Sequence, residues 1–229
     1  MDRVKREDVQ RYLDANYLTL EDLAARAGAL PERVLELVDA LCVPPHSHEA
    51  RGVAVFASTF GEYTAPVPPA RYYHSSLVDW VRKASALARR HTLADVARRM
   101  RKDFEQAFEA ALDGRPPPWP RGVDYAWAYL MDGTWGLCLK EISVANLLQK
   151  EFARQTIARL VSPDPQHELS AAARAALIEA IDAYNEVATD FGPHELGDSS
   201  RCREVGAAIG KYGLADQLGA APQALRRAS

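Results

Sequence analysis

The stretch Thr92–Gly114, TLADVARRMRKDFEQAFEAALDG, decides the fold class of this chain. Thr92 with Asp95 is a capping box that begins a helix, and Gly114 can end the helix in a left-handed conformation. Apolar residues recur at helical spacing between these signals: Leu93, Val96, Met100, Phe104, Phe108 and Leu112. This period of about 3.6 residues is typical of an amphipathic helix that packs on a core.

Similar signals predict helices through most of the remaining chain. Each of these helices has a serine at its predicted N-cap: Ser76, Ser143, Ser170, and Ser199 or Ser200. Four prolines within 116–120, and single prolines at 163 and 165, interrupt the helices, because proline is not tolerated in a helix interior. Almost no segment has the alternating pattern of a strand, so the sequence predicts an all-α, mainly helical protein.

The N-terminal residues predict a helix-turn-helix-like unit. Thr19 caps a short helix, Gly28 ends it, and Pro31 suits the first turn of a second helix over about 31–41. Three of the four charges on that second helix are acidic, and they would repel DNA phosphates. DNA binding is therefore possible in architecture but disfavoured by charge.

Proline-rich segments and helix-ending signals divide the chain into four predicted parts. Residues 1–45 form the helix-turn-helix-like unit, and 46–75 form a Pro-rich connection with room for one β-hairpin over 51–65. Residues 76–215 form a multi-helix domain, and 216–229 form a flexible tail.

Composition and charge give only broad limits on function. The 229 residues carry a net charge of −3, so the whole molecule has no strong bias toward nucleic acid or anionic membranes. Three cysteines without a CxxC motif favour a reducing compartment. There is no apolar N-terminal run and no membrane-spanning stretch, so we expect a cytoplasmic protein.

The basic stretch Arg82–Lys102 leaves two interpretations open. It could meet nucleic acid, an acidic carrier protein or a phosphorylated substrate. Alternatively it is a solvated helix face, since Arg99 with Asp103 and Arg101 with Glu105 have the spacing of ion pairs within a helix.

Two loops carry the strongest candidates for catalysis. Asp132–Cys138 combines a carboxylate and a thiol near a glycine turn, and Phe191–Glu195 places His194 and Glu195 after a long helix. If the loops meet, Cys138 could be a nucleophile, His194 its base, and Glu195 or Asp132 the orienting carboxylate. The structural alternative is a buried apolar Cys138, a simple turn at Asp132, and a polar residue at a helix end at His194.

The histidines also suggest metal sites, and the sequence leaves the metal and any cofactor unknown. His46 and His48 would share one face of an extended strand near Glu49. A zinc site could instead use His74, Cys138 and His194, although His74 could equally be a buried hydrogen-bonded residue.

Several short motifs resemble an uncharacterised bacterial family that is associated with natural-product biosynthesis. The matching segments are Tyr17–Ala24, Asp132–Cys138, Lys150–Glu151, Pro193–Glu195 and Ser199–Arg201. The resemblance spans about residues 10–212. It implies a small-molecule pathway and adds weight to the two loops, but it names no reaction and no catalytic residue.

We therefore predict an enzyme, or an enzyme-like protein, that acts on an amino-acid-derived metabolite. Five further residues are candidates for substrate binding: His74, Thr134, Lys150, Glu151 and Arg201. The alternatives are a DNA-binding regulator and a non-catalytic partner of a biosynthetic enzyme or carrier protein. The chain could also form a homodimer.

Overall fold

The computed structural model describes residues 6–50, 56–58, 61–63, 70–164 and 166–218, and it confirms the mainly helical class. The described residues form the following α-helices: α1 (Arg6–Asn16), α2 (Leu20–Ala27), α3 (Pro31–Asp39), α4 (Leu77–Leu87), α5 (Leu93–Leu112), α6 (Gly122–Met131), α7 (Thr134–Cys138), α8 (Val144–Leu160), α9 (Ala171–Val187) and α10 (Ala207–Tyr212). Single turns of 3₁₀-helix lie at Leu196–Asp198 and Ala215–Gln217, and a π-helical segment, Arg201–Gly206, runs directly into α10.

Helix α5 has the predicted caps and the predicted buried face. The Thr92 hydroxyl accepts a hydrogen bond from the Asp95 backbone N–H. The helix ends in two consecutive left-handed residues, Asp113 at φ 48° and Gly114 at φ 74°. Five of its six periodic apolar residues are buried, and Leu93 is partly buried.

A small antiparallel sheet accompanies the helices. Its strands are β1 (Tyr17–Thr19), β2 (His48–Ala50), β3 (Phe56–Ser58), β4 (Gly61–Tyr63) and β5 (Ala70–His74), in the order β1-β5-β2-β3-β4. Strands β3 and β4 form the predicted hairpin, while residues 51–55, 59–60 and 64–69 lie outside the described residues. The sequence did not predict β1, β2 or β5.

The sheet crosses the predicted boundary at residue 45. Strand β1 lies in the N-terminal part of the chain and pairs with β5, so Leu18 stands opposite Tyr73. Both side chains belong to a core cluster that also contains Leu23, Val34 and Val81 from α2, α3 and α4. Described residues from the predicted parts 1–45 and 46–75 thus pack with the first helix of the next part around one core.

Helix α2 has the predicted bounds and caps, and α3 begins at Pro31 as predicted but ends at Asp39, before residue 41. The Thr19 hydroxyl accepts from the Asp22 N–H at 3.1 Å, Gly28 ends α2 at φ 70°, and Pro31 begins α3. The use of this helix pair for DNA binding stays a prediction.

The C-terminal helices enclose two further core clusters. One joins α5, α6, α7 and the start of α8, and the other joins the rest of α8 to α9 and α10. Leu218 is buried in the latter, so the described chain is still packed at its last residue, and 219–229 of the predicted tail lie outside the described residues.

Much of the basic stretch Arg82–Lys102 is neutralised within the protein. Arg101 contacts Glu105 and Asp124, and Lys83 lies 2.8 Å from Asp103. Asp103 therefore pairs across to α4 rather than with Arg99. Among the described helices, none combines the length and the hydropathy that crossing a bilayer requires.

Candidate functional site

The register of the sheet places polar aromatic side chains on one face. Tyr17 stands opposite His74, and His48 stands opposite Tyr72. Directly opposed residues, and residues two apart on one strand, share a face, so these four side chains point to the same side. All four residues are buried. The opposite face of the sheet carries Leu18 and Tyr73 and is apolar.

Helix α1 covers the polar face. Val9 and Leu13 pack against Tyr17 and Tyr72 in a small apolar cluster. This anchoring places Tyr12 beside the histidines, where its ring centroid lies 6.3 Å from that of His48. The hydroxyl groups of Tyr12 and Tyr17 are 3.4 Å apart.

The loop after α9 approaches this face from the C-terminal half of the chain. His194 and Glu195 both lie buried there, Glu195 with no exposed surface. A Cβ added at Gly192 would stand 2.5 Å from the His194 ring and 2.9 Å from the Tyr12 ring. Only glycine leaves room for the two rings, so the residue type at 192 permits the loop to close on α1.

The segment Gly133–Cys138 also packs against the sheet through glycines. Tyr17 donates a hydrogen bond to the Gly136 carbonyl oxygen at 3.1 Å. A Cβ at Gly136 would stand 2.1 Å from the Ser47 hydroxyl oxygen. The glycines of the predicted Asp132–Cys138 turn therefore allow close backbone approach to the sheet.

The centre of the site consists of His48, His194 and Glu195. The His48 Nε2 lies 3.1 Å from the Glu195 Oε1 as a hydrogen bond, and the His194 Nε2 lies 3.8 Å from the same oxygen. The two imidazole ring centroids are 5.8 Å apart, and the Tyr17 ring stands edge-on to His48 at 4.6 Å. The arrangement joins a strand near residue 48 to a loop almost 150 residues away.

Burial shifts the pKa values of His194, Tyr12 and Tyr17 toward their neutral forms. It lowers the pKa of His194 to about 4, against the attraction of Glu195. It raises the pKa of Tyr12 to about 12 and that of Tyr17 well above its ordinary value, and the nearby Glu195 charge adds to both. At neutral pH the His194 ring can therefore accept a proton, and both phenols remain hydrogen-bond donors.

The same three residues could hold a metal ion. One ligand atom each from His48, His194 and Glu195 lie within 4.8 Å of one another. Two imidazoles and a carboxylate form a donor set that proteins use for zinc and for non-haem iron.

The predicted zinc set of His74, Cys138 and His194 does not form among the described residues. Both nitrogens of the His74 ring are engaged: Nε2 donates to the Leu139 carbonyl oxygen at 3.0 Å, and Nδ1 accepts from the Ser76 N–H at 3.1 Å. His74 is thus the hydrogen-bonded structural histidine. The predicted pair of His46 and His48 also separates, since His46 packs against Tyr73 and His48 against Tyr17.

The structure divides the four predicted catalytic residues. His194 and Glu195 lie together in the buried centre, whereas Asp132 is exposed and accepts the Thr134 N–H in a turn. Cys138 belongs to an apolar core cluster, and burial raises the pKa of its thiol above the ordinary value. This raised pKa lowers the thiolate population that a nucleophile needs.

Three of the predicted substrate-binding residues, Lys150, Glu151 and Arg201, are buried charged residues, while Thr134 is only partly buried at the start of α7. The Lys150 ammonium lies 3.7 Å from Glu151, which also pairs with Arg154. Arg201 is fully buried and donates to the carbonyl oxygens of Thr189 and Ala188 and to the Asn185 side chain. The Arg201 hydrogen bonds fix the end of α9 from which the His194 loop departs.

Tyr12 and Tyr17 were not predicted as site residues, and His48 was predicted only as one half of the His46–His48 pair. The signal for them was weak, because a tyrosine on an amphipathic helix or strand is usually a core residue. A groove of about 590 Å³ lies between α5, α8 and α9, but none of the predicted site residues lines it.

The comparisons with known proteins give a family and no activity. The chain matches no curated protein and no solved structure. Residues 77–213 match the family described as "Family of unknown function (DUF6058)", and His48 lies outside the matched segment while His194 and Glu195 lie inside it. This match covers more than half of the sequence, and the chain therefore belongs to the DUF6058 family.

Proposed function

We propose that this protein is a cytoplasmic enzyme that performs proton-transfer chemistry on a small, amino-acid-derived metabolite of a biosynthetic pathway. One observation carries the proposal. Three segments distant in sequence bring two phenols, two imidazoles and a carboxylate into one buried cluster around His48, His194 and Glu195. Burying such groups costs free energy that an apolar core would avoid, and clusters of this kind occur mainly at functional sites.

The chemistry follows from the protonation states. His194 is a neutral base held beside Glu195, which can stabilise the imidazolium after proton abstraction. Tyr12 keeps its proton, so its hydroxyl can donate to an oxyanion that develops on the substrate, whereas the Tyr17 hydroxyl already donates to the Gly136 carbonyl oxygen. The predicted thiol nucleophile has no part in this scheme.

A substrate would enter the site past the Tyr12 side chain. This side chain is only half-buried, whereas the side chains of His48 and His194 behind it are almost fully enclosed. The Tyr12 ring lies 6.2 Å from the His194 ring. Rotation of Tyr12 would therefore expose both imidazoles together.

The two alternative functions have less support. Regulation through DNA needs a basic recognition helix, yet Arg33 on α3 is paired with Glu36 at 2.7 Å. Docking to an acidic carrier needs free basic side chains, yet Lys83 and Arg101 already form ion pairs. Salt-sensitive binding to DNA or to an acidic carrier protein would favour these alternatives.

A ligand screen by thermal unfolding tests the proposal. The probes are amino acids and their acylated, hydroxylated and decarboxylated derivatives. We expect at least one to raise the melting temperature of the wild type and of the control His167→Ala, whose histidine is exposed, but not of His194→Ala. A panel in which no compound stabilises the protein, or in which all three proteins respond alike, would contradict it.

A further inference from the structure

We propose that His48, His194 and Glu195 bind one divalent transition-metal ion of the zinc or ferrous class. The ion would deepen the proposed function, because a water bound to it would serve as the base in place of His194, which would then be a ligand; ion binding itself does not depend on catalysis. The proposal stands on the three-residue cluster, whose ligand atoms lie within 4.8 Å of one another in a buried setting.

The distances in the cluster suit an ion with little rearrangement. Zinc binds histidine nitrogen and carboxylate oxygen at roughly 2.0–2.1 Å, so tetrahedral ligands stand about 3.4 Å apart. The Glu195 Oε1 is already 3.1 Å from one imidazole nitrogen and 3.8 Å from the other. The ligand atoms that are farthest apart, at up to 4.8 Å, would have to approach each other by about 1 Å or slightly more.

The two buried histidines of the sheet face behave differently, and the difference points to a ligand. The His74 ring uses both nitrogens in hydrogen bonds to backbone groups. The His48 ring has no exposed surface, and its Nδ1 makes no hydrogen bond to any described residue. The His48 Nε2 is the nitrogen that faces the Glu195 carboxylate, so Nε2 is the atom that would bind the ion.

The donor set selects the class of ion and its role. Calcium and magnesium prefer all-oxygen ligands, whereas two imidazoles favour zinc or iron. Structural zinc sites are closed by four protein ligands, usually with cysteine, while catalytic sites keep an open position beside three. Three ligands here leave a coordination position for water or substrate.

The inference also assigns a role to the N-terminal sheet. His48 lies on β2, outside the matched segment 77–213, while the other two ligands follow α9 inside it. The family segment alone therefore lacks a ligand. The bound ion would join the N-terminal sheet to the C-terminal helices.

Metal titration of the full chain tests the site. The metal-free protein is loaded separately with Zn²⁺ and, without oxygen, with Fe²⁺, and bound metal is measured after gel filtration. We expect about one equivalent in the wild type, and an affinity more than about 100-fold weaker in His48→Ala, His194→Ala and Glu195→Gln, because even second-shell changes cost about 10–100-fold. The two arms show which ion is preferred.

His74→Gln is the matched control, since His74 is a buried histidine on the same sheet face with both nitrogens already engaged. It should keep the wild-type stoichiometry. Glu195→Gln preserves shape, and its circular dichroism must match the wild type, so that metal loss is not unfolding. A wild type that retains neither ion, or a His74→Gln variant that loses metal as severely as His48→Ala, would overturn the inference. Either result would leave the ligand screen, which needs no metal, as an independent test of the enzyme.

Discussion

The stability of this protein should fall with acid in a way that depends on one buried histidine. Burial lowers the pKa of His74 from 6.5 to about 4, partly offset by its hydrogen bond to the Leu139 carbonyl. At a pH between these two pKa values, His74 is protonated in the unfolded chain but neutral in the folded protein. The free energy of unfolding must therefore decrease as the pH falls through this window.

The magnitude follows from the size of the pKa change. One pKa unit corresponds to about 1.36 kcal/mol, so protonation of His74 costs the folded state about 3.4 kcal/mol once the pH is below both values. Between pH 7.5 and 5 the expected loss from this ring is about 2 kcal/mol. Such a loss is a large fraction of a typical stability of about 5–15 kcal/mol.

Urea unfolding of the metal-free protein at several pH values measures this loss. The His74→Gln variant should be less stable at pH 7.5, since it loses two hydrogen bonds, but its stability should decline with acid by about 2 kcal/mol less than that of the wild type. His194 contributes equally to both proteins and cancels. The exposed His167→Gln variant should follow the wild type, and parallel curves for the wild type and His74→Gln would refute the reasoning.

Two further predictions concern the packing around the site. Gly192→Ala places a Cβ 2.5 Å from the His194 ring and should lower the free energy of unfolding in urea by about 1–3 kcal/mol. Gly197→Ala adds a Cβ in open space and should lower it by less than about 0.5 kcal/mol. Equal losses in the two variants would contradict the close approach at Gly192. Arg201→Met leaves three buried acceptors without their donor and should cost about 3–5 kcal/mol, whereas the exposed Arg203→Met should be nearly neutral. A small effect at Arg201 would show that its hydrogen bonds do not secure the end of α9.

Local patterns were sufficient to predict most of the helices. The boundaries of α5 follow from Thr92, Gly114 and the apolar period between them, because capping and burial of one face act over a few neighbouring residues. The same holds for α2, which Thr19 and Gly28 delimit. Two of the four predicted catalytic residues, His194 and Glu195, lie in the buried cluster; they were selected because the loop after a long helix combined unusual residue types.

The strands β1, β2 and β5 could not be predicted in the same way. Strand β1 has three residues, and its partner β5 lies more than 50 residues away, so no local period reveals the pairing. That pairing places His48 and Tyr17 on the face that His194 and Glu195 approach. The tertiary structure likewise placed Cys138 in an apolar cluster and Asp132 in an exposed turn, and residue types alone do not distinguish these positions from those of a reactive pair.

The sequence by itself determined the helical class and the ends of helices such as α2 and α5, because these depend on hydrogen bonds and packing between near neighbours. The Asp132–Cys138 segment was predicted as a loop, but most of it forms helix α7. Only the tertiary structure decided which histidine is structural and which faces Glu195. His74 and His48 both lie in short strands of the same sheet, and they differ only in what surrounds their rings. That difference depends on contacts between segments distant in the chain, which the residues nearby do not encode.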